Sequence, residues 1–526
     1  MNLDTLTLYK NDDTKYRRRI FWWSLYDWAN HAYITTTATT YFPPYYLAIA
    51  TPVFMKAGTG MTEEATKALA RDTASNIFAF TVAFSLLVAA LLAPVIGTYA
   101  DFTDQRKRLL VKITVAGGML ASLMFFLTTG MWIVALVLYL LTQVAVNIAL
   151  GLNSSLLPHI ALPKDMNRAS SLGYAMGYVG GGILLAVNTS VFLFAGRFGI
   201  SNDVAVRIAF LSVGIWWIGF TIPFAINVPE PKILSMTRNR SKTPLRDSLV
   251  QIVKTFHEIR KYKELFKMLI AFWFYMEGIG AIILLATIFG AVLGLHLKLL
   301  IGTLLMTQMV AFPYAIIFGR IPDTSNTWRG AYLSMILWTA FTLPVAGMYA
   351  QAVGILSIPR TFLILAVDQA VGVLLSLTLG RLLFVGIVKK IDTRRAVLMG
   401  LAIYVIIPLW GYFLKTKAEF FMIGWLVGTV QGGTQALSRT IYTSLLPSSK
   451  SGEFFGFYGL SEKFAGILGP LLYGIVGQIT HSPQSSILSI AVFFIIGIIL
   501  LSRVDIEKGS KAALEEEQAV ESSLMM

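Results

Sequence analysis

The feature that most constrains this chain is a run of about 20 predominantly apolar residues, which recurs from one end of the sequence to the other. Each run is long enough, at about 1.5 Å per helical residue, to cross the ~30 Å hydrocarbon core of a bilayer. Charged residues make up only 13% of the 526 residues, whereas soluble proteins carry about 25%. The sequence therefore predicts an all-α polytopic membrane protein embedded in a lipid bilayer.

The lengths of the apolar runs predict about fourteen spanning segments. The predicted spans are 20–50, 75–100, 109–129, 131–157, 168–196, 205–228, 265–294, 298–320, 330–350, 360–388, 396–414, 419–446, 455–479 and 484–503. In the first span, the Pro43–Pro44 pair is expected to end the regular helix because proline lacks the backbone donor.

The formal charge of +15 comes from Lys and Arg residues that cluster in the loops between apolar runs. This distribution is the positive-inside pattern of membrane proteins, so a nucleic-acid partner is not expected. With both termini in the cytoplasm, every second loop lies inside and carries most of the basic residues. The chain has no cysteine, so disulfides and thiolate metal sites are excluded. It also has no HExxH, GxSxG or P-loop motif, so we predict no enzyme activity, no metal and no cofactor.

A long basic loop divides the predicted spans into two groups. The predicted units are a cytoplasmic N-terminus (1–19), a six-helix bundle (20–228), a linker (229–264), a second bundle (265–503) and a disordered acidic tail (504–526). Within the linker, residues 246–263 place apolar side chains on one face of a helix. This pattern is typical of an amphipathic helix on the membrane surface, and a solvated linker is the alternative.

Two sequence elements recur in both halves. Ser-Leu-Leu-Pro ends the fourth and the twelfth spans, at 155–158 and 444–447, and a glycine-rich helix follows each. Repeats of this kind are typical of transporters that are built from related halves. Because the fourth span of a six-helix bundle should pair with the tenth, two extra helices are expected in the second half.

The other recurring element is a short loop that combines glycine, aspartate and basic residues. It first occurs at 97–108, with Gly97, Asp101, Arg106 and Arg108. Loops 319–329, with Asp323, and 386–395, with Asp392 and Arg394, repeat parts of it. The glycine permits close helix contact, and the aspartate is expected to cap a helix or pair across a cytoplasmic seam, which is a structural or gating role.

The 97–108 loop resembles the helix two–three signature of the major facilitator superfamily, although Phe102 replaces the usual basic residue. Longer stretches resemble the vacuole effluxer family, which includes autophagy-related protein twenty-two and its prokaryotic relatives. They are YDWANHAY (26–33), LGYAMGYVGG (172–181), QMVAFPYAIIFGR (308–320), QGGTQALSR (431–439) and EFFGFYGLSEKFAGILGPLLYG (453–474).

This resemblance implies a major facilitator fold with two six-helix bundles that alternate access to a central site. It implies amino-acid export for vacuolar members, and a plasma-membrane location here, or a vacuolar one in a eukaryote. A two-helix insertion near 324–391 departs from the family, so the eighth core helix ends at either Asp323 or Asp392. His31 also departs from the family pattern, because a small residue is usual there.

Polar residues on the first span form one stripe. Asp27, His31 and Thr35 follow i, i+4, i+8, and Asn30 and Tyr33 belong to the adjacent row. A membrane-embedded charge costs a few kcal/mol or more, so it usually faces a cavity or a partner. The stripe is therefore predicted to line an aqueous cavity as a substrate or proton site. The alternative is that Asp27 only hydrogen-bonds to a neighbouring helix.

Helix depth suggests partners for these groups. Gln431, Gln435 and Arg439 share one face of the twelfth span, and Arg439 lies as deep as Asp27. The resemblance places this span at the cavity-lining tenth helix. It places Lys463 on the eleventh, where a structural role is expected. Glu277, near the middle of the seventh span, is the third candidate for the cavity.

The sequence therefore predicts a monomeric secondary transporter for a small polar solute. An amino acid is the candidate solute, and proton coupling and export are expected. A multidrug exporter is the first alternative, although its cavity should be broad and aromatic. A lipid scramblase or a non-transporting scaffold is the second.

Overall fold

The computed structural model describes residues 12–55, 62–231, 250, 262–292, 297–354, 358–383, 391–464, 466 and 468–525. All regular structure in these residues is helical. The first half contains α1 (Asp13–Ala32), α2 (Phe42–Met55), α3 (Glu63–Thr103), α4 (Arg106–Leu123), α5 (Trp132–Ile160), α6 (Met166–Leu193) and α7 (Asn202–Asn227).

Among the described residues, the second half contains eleven α-helices of seven residues or more, besides the three-residue helix Arg381–Leu383. They are α8 (Lys263–Val292), α9 (Leu297–Arg320), α10 (Asn326–Val353), α11 (Ile358–Leu375), α12 (Thr393–Phe413), α13 (Lys417–Leu445), α14 (Ser451–Phe464), α15 (Leu468–Thr480), α16 (Pro483–Ser489), α17 (Ala491–Ser502) and α18 (Ile506–Met525).

The all-α membrane fold is confirmed. Within the described residues, 11 helices are long and apolar enough to cross a membrane. The other three predicted spans fall on the α1–α2 segment, on α13 and on α14–α15, which carry more polar residues or are interrupted. Polar side chains and interruptions of the regular α-helix, such as the π-helix Tyr33–Tyr41, explain why length and hydropathy alone find fewer spans.

The first span does not end where its prolines predict. Between α1 and α2, residues Tyr33–Tyr41 form a π-helix, and α2 continues through Pro43 and Pro44 to Met55. The Phe42 N–H donates to the Thr37 carbonyl, five residues earlier. The wider turn comes before the prolines, so their missing donors fall where the helix is already rearranged. Such π-segments often mark functional positions.

Among the described residues, the two halves contact each other mainly through four helix pairs. α3 and α5 of the first half pack on α14, and α6 packs on α9 and α13. Close glycine contacts support this seam, since a Cβ at Gly97 would lie 2.2 Å from the Gly452 carbonyl oxygen. The seam between the halves is therefore formed by α3, α5 and α6 of the first half and by α9, α13 and α14 of the second half.

The short turns between these helices meet at one end of the bundle, which we call the basic end. The turns are 104–105, 161–165, 321–325 and 446–450, and Arg106, Arg168, Arg394 and Lys450 lie beside them. The positive-inside pattern predicts that the basic end faces the cytoplasm. In this conformation the two halves are in contact at the basic end.

Helices α10 and α11 occupy the region where the sequence predicts two extra helices. α10 packs on α13 and α9, and α11 packs mainly on α10. α9, by contrast, packs on α6 across the seam. This packing favours Asp323 over Asp392 as the end of the eighth core helix. The description of 324–391 as an insertion relative to the family stays a prediction.

The prediction of a disordered tail is wrong, because residues Ile506–Met525 form α18. Its acidic side chains bond to the turn before α14. Glu517 accepts hydrogen bonds from Ser448 Oγ at 2.9 Å and Ser449 Oγ at 3.1 Å, and Glu516 pairs with Lys450 at 2.8 Å. Composition alone indicated a solvated segment because it does not show this docking site. The predicted amphipathic helix at 246–263 lies almost wholly outside the described residues.

Candidate functional site

The polar stripe of α1 packs against a row of glycines on α6. The facing pairs are Asp27 with Gly173, His31 with Gly177, and Thr35 with Gly181. A Cβ at Gly173 would lie 2.4 Å from Asp27 Oδ2. The polar row and the glycine row share the same i, i+4, i+8 spacing, so each polar side chain faces one glycine. Only glycine leaves room for these side chains. In this conformation the stripe lies in a tight helix contact, and its predicted role in lining a substrate or proton cavity stays a prediction.

Asp27 forms an ion pair across the seam between the halves. Its Oδ2 lies 3.6 Å from Arg439 NH1 on α13, and both side chains are at most 4% exposed. Asn153 on α5 donates to the other carboxylate oxygen, Oδ1, at 3.1 Å. A buried carboxylate needs such partners, because an uncompensated charge would cost several kcal/mol. The sequence-based pairing of Asp27 with Arg439 is therefore realised in this conformation.

Arg439 is held by more than the carboxylate. Its Nε donates to Ser170 Oγ at 2.9 Å, and its NH2 donates to the Ser170 carbonyl oxygen at 2.8 Å. The guanidinium also lies over the rings of Trp23 and Tyr174, with its Cζ at 5.1 and 4.6 Å from the ring centres. Ser170, Trp23 and Tyr174 belong to the first half, so Arg439 fastens α13 to that half.

His31 lies between this ion pair and a second polar contact across the seam. Its Nδ1 is 3.0 Å from the Asp27 carbonyl oxygen, and its ring centre is 5.9 Å from that of Tyr178. The Tyr178 hydroxyl donates to Gln435 Oε1 at 3.2 Å. Gln431 lies one turn earlier on the same helix and is half-buried. The site thus continues from Asp27 towards the middle of the membrane.

Asn30 and Tyr33 lie on another side of the first span. The Tyr33 ring stacks on Trp217 of α7, with ring centres 5.7 Å apart, inside the first bundle. Asn30 is fully buried. Among the described residues, neither the Asn30 amide nor the Tyr33 hydroxyl has a hydrogen-bond partner. The structure does not bring these two polar groups to the Asp27–Arg439 pair.

Glu277 lies on α8, within the second half, beside the first turn of α15. α14 ends at Phe464 and α15 begins at Leu468. Glu277 Oε2 accepts a hydrogen bond from the Gly469 N–H at 3.0 Å. The carboxylate thus meets the partial positive charge at the N-terminus of α15. Its predicted place in the cavity stays a prediction.

A cluster at the basic end joins α3 and α5 to the start of α14. Asp101 Oδ1 lies 2.7 Å from Arg106 NH2, and Asp101 Oδ2 accepts from the Glu453 N–H at 2.9 Å. His159 contacts Arg106 and lies 3.1 Å from Ser451 Oγ. All of these side chains are buried. Asp101 therefore satisfies both an arginine in its own half and a helix N-terminus in the other half.

The second half repeats this arrangement against α6. A Cβ at Gly319 would lie 2.3 Å from Ser171 Cβ. Asp323 Oδ1 accepts from Asn167 Nδ2 at 3.0 Å, and Asn167 also bonds Thr393 Oγ1 at 3.2 Å. Although part of the Asp323 side chain is exposed to solvent, desolvation by the groups around its carboxylate, aided by the nearby Asp165 carboxylate, raises the pKa of Asp323 to about 6, and the Asn167 hydrogen bond opposes this rise. The loop 319–329 is therefore the structural counterpart of loop 97–108.

The other predicted structural residues have local roles. Asp392 accepts from the Arg395 N–H at 2.7 Å and caps α12, and Arg394 contacts the Val504 carbonyl. The Arg108 N–H donates to Glu230 at 3.0 Å, within the first half. Lys463 is in α14, and its side chain lies outside what the structure describes. Gating roles for these residues stay predictions.

Sequence reasoning missed several residues of the seam. Ser170, Asn153, His159 and Asn167 each bond a predicted site residue. Isolated Ser and Asn residues in apolar helices give little signal. One signal was available, because His159 and Asn167 both follow the first Ser-Leu-Leu-Pro repeat, as Ser451 follows its copy at 444–447.

Two helical bundles that meet along a charged seam are the architecture of the major facilitator fold. The structure superposes on that of the proton:xylose symporter XylE with a TM-score of 0.54, over 93% of this chain and 96% of that chain, at 14% sequence identity. This likeness shows the shared fold.

The chain belongs to the family described as vacuole effluxer Atg22 like, whose model matches residues 15–358 and 363–514. It is 28% identical to the uncharacterized MFS-type transporter YxiO of Bacillus subtilis, over 94% of this chain and 96% of that protein. It is 22% identical to autophagy-related protein 22 of Saccharomyces cerevisiae, over 68% of this chain and 60% of that protein. The predicted family is therefore confirmed, and the chain is a multi-pass membrane protein.

Proposed function

We propose that this protein is a secondary active transporter that exports a small polar solute by alternating access. A neutral or cationic amino acid is the proposed solute, and the proton is the proposed coupling ion. The basic end would face the cytoplasm, and the protein would work in the plasma membrane, or in the vacuolar membrane of a eukaryote. The conformation described here, with contact at the basic end, would then be one in which the site is closed to the cytoplasm.

The observation that carries this proposal is the Asp27–Arg439 ion pair. It joins α1 of the first half to α13 of the second half at 3.6 Å, and both groups are buried. Alternating access requires the halves to separate at the basic end. That movement would remove the positive charge beside Asp27. The carboxylate would then need a proton or the cationic group of a solute to offset the cost of its charge.

The neighbouring groups have chemistry that suits a small polar ligand. Arg439, when released from Asp27, can receive a carboxylate, and Asp27 can receive an ammonium group or a proton. His31, Tyr178 and Gln435 extend the site with further donors and acceptors. A zwitterionic solute would match one positive and one negative group that become available together. Glu277 is proposed as a second coupling carboxylate.

The proposal is tested first by identifying the solute. Purified protein would be screened by thermal shift against amino acids, sugars, nucleosides and organic acids. We expect stabilisation by amino acids. Stabilisation by apolar drugs alone would contradict the proposal and favour a multidrug exporter.

The second test uses proteoliposomes with an imposed pH gradient. Asp27→Asn should abolish uphill, proton-driven accumulation and leave some counterflow, because the amide cannot exchange a proton. The matched control is Asp203→Asn, which removes a 51%-exposed carboxylate that forms an ion pair with Arg207. Unchanged uphill transport by Asp27→Asn would contradict proton coupling at this residue.

A further inference from the structure

Besides Asp27 and Glu277, a further carboxylate within a candidate membrane span lies in the α10–α11 hairpin, away from the central seam. Asp368 is on α11, whose candidate span runs from Arg360 to Gly380. Only 17% of the most apolar window of that span is buried inside the protein. Asp368 lies about 12 Å along the helix from Arg360, at 1.5 Å per residue. The carboxylate is therefore at hydrocarbon depth, on a helix that mostly faces lipid.

Among the described residues, the hydrogen bonds that the Asp368 carboxylate accepts come from neutral groups. Thr342 Oγ1 on α10 donates to Oδ2 at 2.9 Å, and Gln369 Nε2 donates to the same oxygen at 2.8 Å. Across the described part of the chain, no Lys, Arg or His forms an ion pair with Asp368, in contrast to Asp27 and Asp101. Within the described residues, the negative charge of Asp368 is therefore met by hydrogen bonds and not by an ion pair.

The same network reaches the core of the second half. Gln369 Oε1 accepts from Thr339 Oγ1 at 2.8 Å and from the Tyr314 hydroxyl at 3.0 Å. Tyr314 is on α9 and lies 2.6 Å from Thr339 Oγ1. Oxygen atoms from three helices therefore converge within two hydrogen bonds of the carboxylate. α9 is also the helix that packs on α6 of the first half.

Physical chemistry limits what can complete this site. A lone ionised carboxylate at bilayer depth is costly unless positive charge accompanies it. At the carboxylate, Asp368 and the Thr342 hydroxyl present oxygen atoms and Gln369 presents its amide N–H, so the site offers few, hard oxygen donors and a single negative charge. Such a set matches one small cation of single positive charge. A divalent ion would need more negative charge than the described donors supply.

We propose that the α10–α11 hairpin holds a monovalent cation site at Asp368, which takes either a proton or an alkali metal ion. Thr342 and Gln369 position the carboxylate, and Thr339 and Tyr314 extend the site to α9. Occupancy of the site neutralises the hairpin and fixes it against the core. This site is separate from the Asp27–Arg439 pair, and it does not depend on the identity of the transported solute.

The test measures the thermal unfolding of the full-length protein in detergent or nanodiscs. One arm compares NaCl and KCl with choline chloride at constant ionic strength and pH. The other arm varies pH in choline chloride alone. The expected result is a saturable rise in the melting temperature of roughly 2–4 °C in one arm. A rise with Na⁺ or K⁺ identifies an alkali ion, and a rise only on acidification identifies a proton.

Asp368→Asn should remove that ion or pH dependence, because it keeps an acceptor for Thr342 and Gln369 and loses the charge. Asp203→Asn, at the exposed start of α7, should retain the wild-type dependence. Thr342→Val, which keeps the side-chain shape and removes one donor, should weaken the dependence if Asp368→Asn does not fold. An Asp368→Asn protein with the same salt and pH responses as the wild type would overturn the proposal. Such a result would leave the network as a purely structural contact between α10 and α11.

Discussion

Replacing Gly173 with alanine tests the glycine row on α6 and the buried ion pair together. A Cβ at this position would lie 2.4 Å from Asp27 Oδ2 and 3.0 Å from Arg439 NH2. The first distance is roughly 1 Å shorter than ordinary contact. The carboxylate must therefore move by about 1 Å, away from α6 and from Arg439. The backbone of α6 has no such freedom, because Gly177 and Gly181 are packed in the same way.

The size of the effect follows from the ion-pair geometry. At an effective dielectric constant of ~20, two charges at the observed 3.6 Å attract by about 4.6 kcal/mol, and by about 3.6 kcal/mol after a ~1 Å shift. Loss of the Asn153 hydrogen bond, which spans 3.1 Å, adds about 1 kcal/mol. The closed basic end should thus lose about 2 kcal/mol, which is roughly a 30-fold change in the ratio of closed to open protein.

Electron–electron distance measurements between spin labels read this ratio directly. The labels would be attached to Arg168→Cys and Ser325→Cys, which are exposed on opposite halves at the basic end. The chain contains no cysteine, so no background labelling arises. Gly173→Ala should shift the distance distribution towards longer values. Gly182→Ala on the same helix is the control, because its Cβ would meet only Gln308 Cβ at 3.5 Å. An unchanged distribution for Gly173→Ala would refute the reasoning, as would an equal shift for Gly182→Ala.

Three further predictions follow from the contacts of the seam and the tail. Arg439→Lys keeps the charge and loses the planar two-point contact with Ser170, so the melting temperature in thermal unfolding should fall by roughly 2–4 °C. Arg439→Gln should lower the free energy of unfolding further, by about 3–5 kcal/mol, because Asp27 is left buried without a cation. Desolvation raises the pKa of Asp323 to about 6 when the basic end is closed. Protonation of Asp323 is therefore easier in the closed form, and acidification through pH 6 should favour that form. Asp323→Asn should lose this part of the pH dependence in the same spin-label assay. Glu517→Gln weakens the docking of α18 on Ser448 and Ser449, so backbone hydrogen exchange in Ile506–Met525 should accelerate by up to about tenfold. An unchanged exchange rate would show that other contacts hold the tail.

Much of the fold could be predicted from the sequence, because each spanning helix has to be about 20 apolar residues long. The family stretches and the Ser-Leu-Leu-Pro repeats gave the two related halves. The sequence also pointed to Asp27 and Arg439 as partners, from their equal depth on different helices. Depth along a helix is readable in this way because every residue adds a fixed rise.

The direction in which the polar stripe faces could not be predicted. Periodicity shows that Asp27, His31 and Thr35 share one face, but it does not show what lies opposite them. The structure places glycines there, and the stripe is packed instead of hydrated. The α18 helix was missed for a similar reason, because its acidic residues are neutralised by groups distant in sequence, such as Lys450. Contacts between distant segments are what composition and periodicity do not encode.

The central claim is that the two halves contact each other at the basic end in one state of a transport cycle and separate in the other. Asn167 Nδ2 and Asp323 Oδ1 are 3.0 Å apart across this contact, so cysteines at both positions can be joined by a short, reducible thiol crosslinker. With the solute identified by the thermal-shift screen, solute exchange would be measured in proteoliposomes before and after reduction, with each single-cysteine variant as a control. The account predicts that crosslinked protein does not exchange solute and that reduction restores exchange. Equal exchange by the crosslinked and reduced proteins would contradict it.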